Sequence, residues 1–76
     1  MRIAGVKPDK NYILHIVTED GNRGVFDVAP YLECEAFFEL KNQDAFQKIR
    51  NGKYFIEWEC GADLSADTIE AHLKTT

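Results

Sequence analysis

Residues 12–28 read Tyr-Ile-Leu-His-Ile-Val-Thr-Glu-Asp-Gly-Asn-Arg-Gly-Val-Phe-Asp-Val, and this stretch decides the fold of the 76-residue chain. Residues 12–18 are rich in β-branched and aromatic side chains, which favour strands. Residues 23–29 form a second run, and Pro30 closes it because proline cannot donate to a sheet ladder. Between the two runs, Gly21 accepts a positive φ without steric cost, as hairpin turns require. The stretch therefore predicts a β-hairpin.

The length of the hairpin loop determines which side chains share a face. A two-residue loop at 20–21 groups five residues on the inner face: Ile13, His15, Val17, Phe26 and Val28. A three-residue loop at 19–21, with Gly21 in the left-handed conformation, groups a different and wholly apolar set: Tyr12, Leu14, Ile16, Phe26 and Val28. Because a one-residue slip exchanges the two faces of a strand, we expect the register with the apolar inner face.

The opposite face of the hairpin then combines apolar and polar side chains. Short helices cover only one face of a four-stranded sheet, so this other face is left as a candidate contact surface for another protein chain or for self-association. Phe55 is expected to extend its apolar part. The candidate interaction face comprises Ile13, His15, Val17, Val25 and Asp27, with Arg23 beside them.

The rest of the chain supplies two more strands and the helices. Residues 2–8 predict a strand, and residues 31–40 predict short helical turns. Asn42 is a favourable N-cap for a helix that ends near Gly52. Residues 54–59 alternate, which predicts a strand with three inward side chains: Tyr54, Ile56 and Trp58. Ser65 is the expected N-cap of a last helix, with Leu64 and Ile69 in the positions of a hydrophobic staple.

These elements predict one α+β domain over residues 1–76. The expected architecture has two layers, with a mostly antiparallel sheet of about four strands and two or three short helices on one face. The expected order is strand, strand, strand, helix, strand, helix. We expect seven side chains to form the core under the helices: Tyr12, Leu14, Ile16, Phe26, Val28, Ile56 and Trp58.

The charge balance opposes nucleic-acid binding. The chain has 9 basic and 13 acidic residues, which gives a formal net charge of −4. An acidic protein repels a phosphate backbone. One local basic stretch is nevertheless a candidate phosphate contact, and it supports the alternative of a nucleic-acid-binding accessory protein: Lys41, Lys48, Arg50 and Lys53. A solvated helix end, favoured by the helix dipole, also accounts for this stretch.

Residues that commonly bind metals or catalyse reactions show no diagnostic spacing. Cys34, Cys60, His15 and His72 lack the close pairs of structural zinc sites, and we expect two free thiols. The acidic group Glu57, Glu59 and Asp63 is explained by an exposed strand face and the turn that follows it. A hydrogen bond between His15 and Asp27, on the same face, is the one arrangement that would suit acid–base chemistry. We expect no catalytic residue, no metal and no cofactor.

The apolar segments of the chain are short. No run approaches the roughly 18 residues that a membrane helix needs. The N-terminal residues lack the apolar core of a signal peptide. The expectation is a cytoplasmic protein that does not contact a membrane.

Four sequence elements together resemble a known family. They are Tyr12-x-Leu14-x-Ile16, Asp20-Gly21, Asp27-x-x-Pro30-Tyr31-Leu32, and Ile56-x-Trp58-x-x-Gly61-Ala62-Asp63-Leu64-Ser65-x-Asp67. In this order they resemble domain of unknown function 2442, a prokaryotic family. Thr18 and Glu59-Cys60 depart from its usual residues, which affects turns more than the fold.

The resemblance implies an α+β domain of bacteria and archaea with no established activity, cofactor or catalytic residue. Proteins of this kind are often encoded beside genes of toxin–antitoxin type. The implied function is that of a small non-catalytic interaction or regulatory domain, an antitoxin-like partner of a neighbouring gene product. That expectation comes from the resemblance and not from the pattern of residues.

Overall fold

The structure, a computed structural model, describes residues 2–75 of the chain. Its strands are β1 Ile3–Asp9, β2 Ile13–Thr18, β3 Arg23–Asp27, β4 Ile49–Asn51, β5 Phe55–Trp58, β6 Asp63–Ser65 and β7 Lys74–Thr75. Its α-helices are α1 Gln43–Gln47 and α2 Ala66–His72, and three 3-10 helices span Lys10–Tyr12, Ala29–Tyr31 and Glu35–Lys41. The predicted α+β class is confirmed.

The strands form two sheets and not the single sheet expected. One sheet has the order β1-β2-β3-β7 and the other β4-β5-β6, and all pairings are antiparallel. Strand β1 joins the two sheets, because the N–H of Ile3 donates to the carbonyl oxygen of Lys53 at 2.8 Å. The side-chain amide of Asn51 also donates to the carbonyl oxygen of Ile3 at 2.7 Å. The second sheet therefore supplies part of the layer that was expected to be helical.

The hairpin has the predicted register. Leu14 lies opposite Phe26, and Ile16 lies opposite Gly24. The N–H of Thr18 donates to the carbonyl oxygen of Asn22 at 2.9 Å, which leaves a loop of three residues, 19–21. Gly21 has a φ of 91° in this loop, a value that only glycine reaches without strain. The three-residue loop is confirmed.

The predicted core is also confirmed, with one residue at its edge. Tyr12 is half-buried and packs against the core. The other six predicted members are no more than 1% exposed: Leu14, Ile16, Phe26, Val28, Ile56 and Trp58. Further buried side chains come from β1, from the segment between β3 and α1, and from both α-helices, and they include Ile3, Leu40, Phe46 and Ile69.

Helix α1 is shorter than the sequence predicts. Asn42 caps it as expected, since its side chain accepts the N–H of Asp44 at 2.9 Å. The helix ends at Gln47, however, and residues 49–51 form strand β4. Ile49 lies opposite Trp58 in β5, so tertiary pairing overrides the helical spacing of this segment.

Two details near β5 and β6 also differ from the expectation. Tyr54 was predicted to point into the core, but its side chain is 59% exposed. Lys53 has a φ of 72°, and this left-handed turn breaks the strand alternation before Phe55, where β5 begins. Leu64 and Ser65 belong to the short strand β6, which precedes α2. The predicted cap of α2 is confirmed, because the Ser65 hydroxyl accepts the N–H of Thr68 at 3.2 Å.

Candidate interaction face

The side chains of the first sheet that point away from the core form a patterned surface, here called the outer face. Strand register arranges it in three rows across the strands. The first row is Asp9, Ile13 and Asp27; the second is Lys7, His15, Val25 and Lys74; the third is Gly5, Val17 and Arg23. The structure thus brings together all five residues of the candidate interaction face.

An apolar strip runs through the middle of the outer face. Ile13, Val25 and Val17 occupy successive rows and alternate between β2 and β3, so they are diagonal neighbours. Each of the three is half-buried by its neighbours in the sheet. The charged and titratable side chains around them are exposed, so no described element covers this face.

The charges of the outer face are separated by row. Both carboxylates, Asp9 and Asp27, lie in the first row, whereas Arg23 lies in the third. Lys7 and Lys74 are on the outermost strands, β1 and β7, in the middle row. The face therefore has two carboxylates at one end, an arginine at the other, and lysines at both sides of its middle row.

His15 is bonded to Asp9 and not to Asp27, which corrects the sequence-based expectation. His15 Nε2 lies 2.8 Å from Asp9 Oδ2 across strands β1 and β2. Asp27 Oδ1 instead accepts the backbone N–H of Ala29 at 2.9 Å, in the turn that leaves β3. This arrangement follows from the turn between β1 and β2, which places Asp9 in the row next to His15.

The contact with His15 has an electrostatic consequence for Asp9. The pKa of the Asp9 carboxyl is lowered, mainly by the hydrogen bond from His15 and then by that from the backbone N–H of Lys10. The two side chains are 48% and 56% exposed, so water surrounds the pair. An open pair of this kind lacks the water-excluding site that acid–base catalysis uses.

The basic stretch is accompanied by carboxylates. Arg50 donates from Nε to Glu57 Oε1 at 2.7 Å. Lys41 Nζ lies 3.9 Å from Glu33 Oε1 and 4.9 Å from the centre of the Phe38 ring. These acidic partners reduce the positive field that the sequence pattern suggested.

The remaining two basic residues lie in different surroundings. Lys48 and Glu59 line the same open hollow beside α1, next to Asp44 and Cys60. Lys53 forms the turn before β5, where its backbone N–H donates to Asn51 Oδ1 at 2.8 Å. The four residues therefore do not form one uniformly basic surface.

Potential metal ligands do not converge. Among residues 2–75, no group of three or more His, Cys, Asp or Glu side chains is placed to hold a metal ion. Cys34 and Cys60 are free and exposed, in agreement with the prediction of two free thiols. Neither the two cysteines with the two histidines nor the acidic group at 57–63 forms such a cluster within these residues.

Three aromatic residues are exposed, and the sequence analysis expected only one of them, Phe55, at the surface. Phe38, Tyr54 and Phe55 are 60%, 59% and 40% exposed. Phe55 was expected on the outer face, but it lies on β5 of the second sheet. Its ring covers Gly52, where an added Cβ would come within 2.4 Å of Phe55 Cζ. No periodic signal in the sequence marks Phe38 and Tyr54, because Phe38 lies in the 3-10 helix Glu35–Lys41 and Tyr54 precedes β5.

Within the described part of the chain, no helix has the length and apolar composition needed to cross a membrane.

Comparison with known proteins gives one finding. Searches of curated proteins and of solved structures returned no match. A family model, described as "Protein of unknown function (DUF2442)", matches residues 3–75 and so covers both sheets and both helices. The chain therefore belongs to the DUF2442 family, as its sequence elements suggested.

Proposed function

We propose that this protein is a small non-catalytic interaction or regulatory domain that binds another protein chain through its outer face. One observation carries the proposal: Ile13, Val25 and Val17 form an apolar strip across β2 and β3 that no described element covers. Apolar patches rimmed by polar side chains are characteristic of protein interaction sites. The charged side chains at both ends of the strip would orient the partner.

The biological context of this proposal comes from the family. The resemblance implies a prokaryotic protein encoded near toxin–antitoxin genes, so the proposed partner is the product of a neighbouring reading frame. The domain would then act as an antitoxin-like or regulatory subunit in the cytoplasm. In this role, binding to a protein partner and not catalysis is the activity of the domain.

The alternative, a nucleic-acid-binding accessory protein, has less support. Arg50 is paired with Glu57, and Lys41 lies near Glu33. The net charge of −4 also opposes a phosphate backbone. Binding of this kind would show a steep dependence on salt concentration, and its absence at low salt would exclude the alternative.

The proposal is tested by co-purification of the tagged protein with the product of the adjacent reading frame. Replacing Val17 and Val25 together by Ser removes most of the apolar strip while leaving the core intact. We expect this double variant to lose at least ten-fold in affinity and to keep a native circular dichroism spectrum. Phe38→Ser is the matched control, because Phe38 is an exposed apolar side chain outside the outer face. Unchanged binding by the double variant would disprove the proposed site.

A further inference from the structure

We infer that a second copy of this chain occupies the outer face, in a symmetric dimer. This inference rests on the proposed function, because the second copy uses the same face and must dissociate before the neighbouring gene product binds there. The two copies pack face to face about a two-fold axis that runs across the strands along the second row of each outer face. Each strand then lies antiparallel above the same strand of the other copy.

The charges of the outer face are complementary under this symmetry. The axis exchanges the first row with the third. These two rows are about 13 Å apart along the strands. On β3, Asp27 of one copy therefore faces Arg23 of the other, and the same pair forms a second time in the opposite direction. The Arg23 side chain is exposed and forms no hydrogen bond or ion pair with the side chains or backbone of residues 2–75. Arginine and carboxylate form strong charge-assisted pairs.

The apolar strip is complementary under the same symmetry. On β2, Ile13 of one copy faces Val17 of the other. Val25 lies in the row on the axis, where it meets Val25 of the second copy. His15, Lys7 and Lys74 also lie in that row and face their own copies. Lys7 and Lys74 are on the outermost strands, where long side chains can extend into solvent, and His15 is hydrogen-bonded to Asp9.

The other possible two-fold axis is unfavourable. An axis parallel to the strands would keep each row opposite itself. An axis along β2 would place Asp9 of one copy against Asp27 of the other, and an axis between β2 and β3 would place Asp27 against Ile13, so neither position forms the pair of Asp27 with Arg23. Like charges opposed across an interface disfavour association. The row pattern thus selects one arrangement.

The size of the outer face predicts a weak and reversible dimer. Four strands at about 4.8 Å spacing and three rows at about 7 Å spacing give a projected area of about 400 Å² per copy. Stable complexes bury about 800 Å² per partner, and smaller interfaces are typical of transient contacts. We therefore expect a dissociation constant on the order of 10 μM, not an obligate dimer.

Charge reversal provides the test. Arg23→Asp and Asp27→Arg each place like charges opposite one another, so each variant alone should associate at least ten-fold more weakly than the parent in sedimentation equilibrium. Mixed in equal amounts, the two variants should form a heterodimer with near-parental affinity, because one native Asp27–Arg23 pair is kept and the other pair is restored with reversed polarity. Lys48→Glu, which reverses a charge elsewhere, is the control and should dimerise normally.

A second measurement does not depend on the folding of Asp27→Arg, which loses the hydrogen bond to Ala29. In a background with both native cysteines replaced by Ser, Val25→Cys should be cross-linked rapidly by a short bismaleimide, since this position meets its own copy on the axis. Phe38→Cys should remain monomeric under the same conditions. The absence of cross-linking at position 25 would overturn the arrangement.

The outcomes separate this inference from the proposed function. A parent protein that stays monomeric up to several hundred micromolar overturns the dimer. The proposed function then survives if the neighbouring gene product still binds in a way that depends on Val17 and Val25. A dimer that charge reversal does not affect overturns the two-fold arrangement. If the parent protein neither self-associates nor binds the neighbouring gene product, both the dimer and the proposed function are overturned.

Discussion

Trp58 donates its indole N–H to the backbone carbonyl oxygen of Phe46 at 2.9 Å, and the two rings stack with their centres 6.0 Å apart. Both residues are no more than 1% exposed. The contact joins β5 to α1, so the indole both fills the core and satisfies a carbonyl near the end of the helix. A buried carbonyl that loses its donor raises the free energy of the folded state.

Replacement of Trp58 should therefore be among the most damaging changes in the chain. Trp58→Ala is expected to lower the free energy of unfolding by about 3–5 kcal/mol, enough to unfold most of so small a domain. Trp58→Phe keeps an aromatic ring but leaves the Phe46 carbonyl unpaired, at a cost of about 1–3 kcal/mol. Urea denaturation followed by circular dichroism measures both. Phe38→Ala, at an exposed position, is the control, and a parental midpoint for Trp58→Ala would contradict the prediction.

Gly24 should also be sensitive to replacement, because there is no room for a larger side chain at this position. It is buried on β3, and an added Cβ would lie 2.7 Å from Leu73 Cγ and 2.9 Å from the carbonyl oxygen of Lys74. Gly24→Ala must displace the segment that forms β7, and we expect a loss of about 1–3 kcal/mol in the free energy of unfolding. Gly5→Ala is the matched control, because its Cβ would meet no atom within 4 Å. Equal melting temperatures of the two variants would argue against the packing of β7 on β3.

The hairpin could be predicted from sequence because two independent signals agree. Gly21 specifies where a positive φ is possible, and alternation along residues 12–18 specifies which side chains must be buried. Each signal alone is compatible with two pairing registers of the hairpin strands, whereas the two signals together are compatible with only one. The residues of the outer face followed directly from that register, including Ile13, Val17 and Val25.

The second sheet could not be predicted in the same way. Strands β4 and β6 have three residues each, which is too short for a periodic pattern. Residues 45, 46 and 49 fit a helical stripe, but Ile49 is instead paired with Trp58. The partner of His15 was also missed, because the row position of Asp9 depends on the 3-10 turn at Lys10–Tyr12. In each case, the pairing between strands decided the outcome, and the periodicity of a single segment did not reveal it.

Two carboxyl groups with lowered pKa values, Asp20 and Asp9, should make the free energy of unfolding depend on pH in the acid range. The pKa of Asp20 is lowered, mainly by the hydrogen bond from the Thr18 hydroxyl and then by the backbone N–H of Asn22. The pKa of Asp9 is lowered by its hydrogen bond from His15. A carboxyl whose folded pKa is depressed stabilises the protein above its unfolded value, here 3.8, and this contribution is lost as pH falls through the lower folded value.

The free energy of unfolding should therefore stay level from pH 7 to about 5 with respect to these two groups, and should decrease below about 4. Asp20→Asn should be less stable than the parent at pH 7, and the difference should shrink as the pH approaches 2. Chemical denaturation at a series of pH values measures this. A difference that is constant across the range would show that the charge of Asp20 does not contribute.

Ser65 should determine the stability of α2 and, through it, one edge of the outer face. Its hydroxyl accepts the N–H of Thr68 at 3.2 Å, which satisfies one of the free donors in the first turn. Ser65→Ala is expected to cost about 1 kcal/mol, whereas Ser65→Asp keeps an acceptor and adds a favourable charge at the helix N-terminus. Because α2 ends at His72 and β7 begins at Lys74, loosening the helix should also loosen β7.

Hydrogen exchange distinguishes this local effect from general destabilisation. In Ser65→Ala, the amides of α2 and of β7 should exchange faster than in the parent, while those of the hairpin strands β2 and β3 should change little. Ser65→Asp should restore slow exchange in both segments. Faster exchange confined to α2, with β7 unchanged, would show that β7 is held by its pairing with β3 and by the contact between Leu73 and Gly24, and not by the helix.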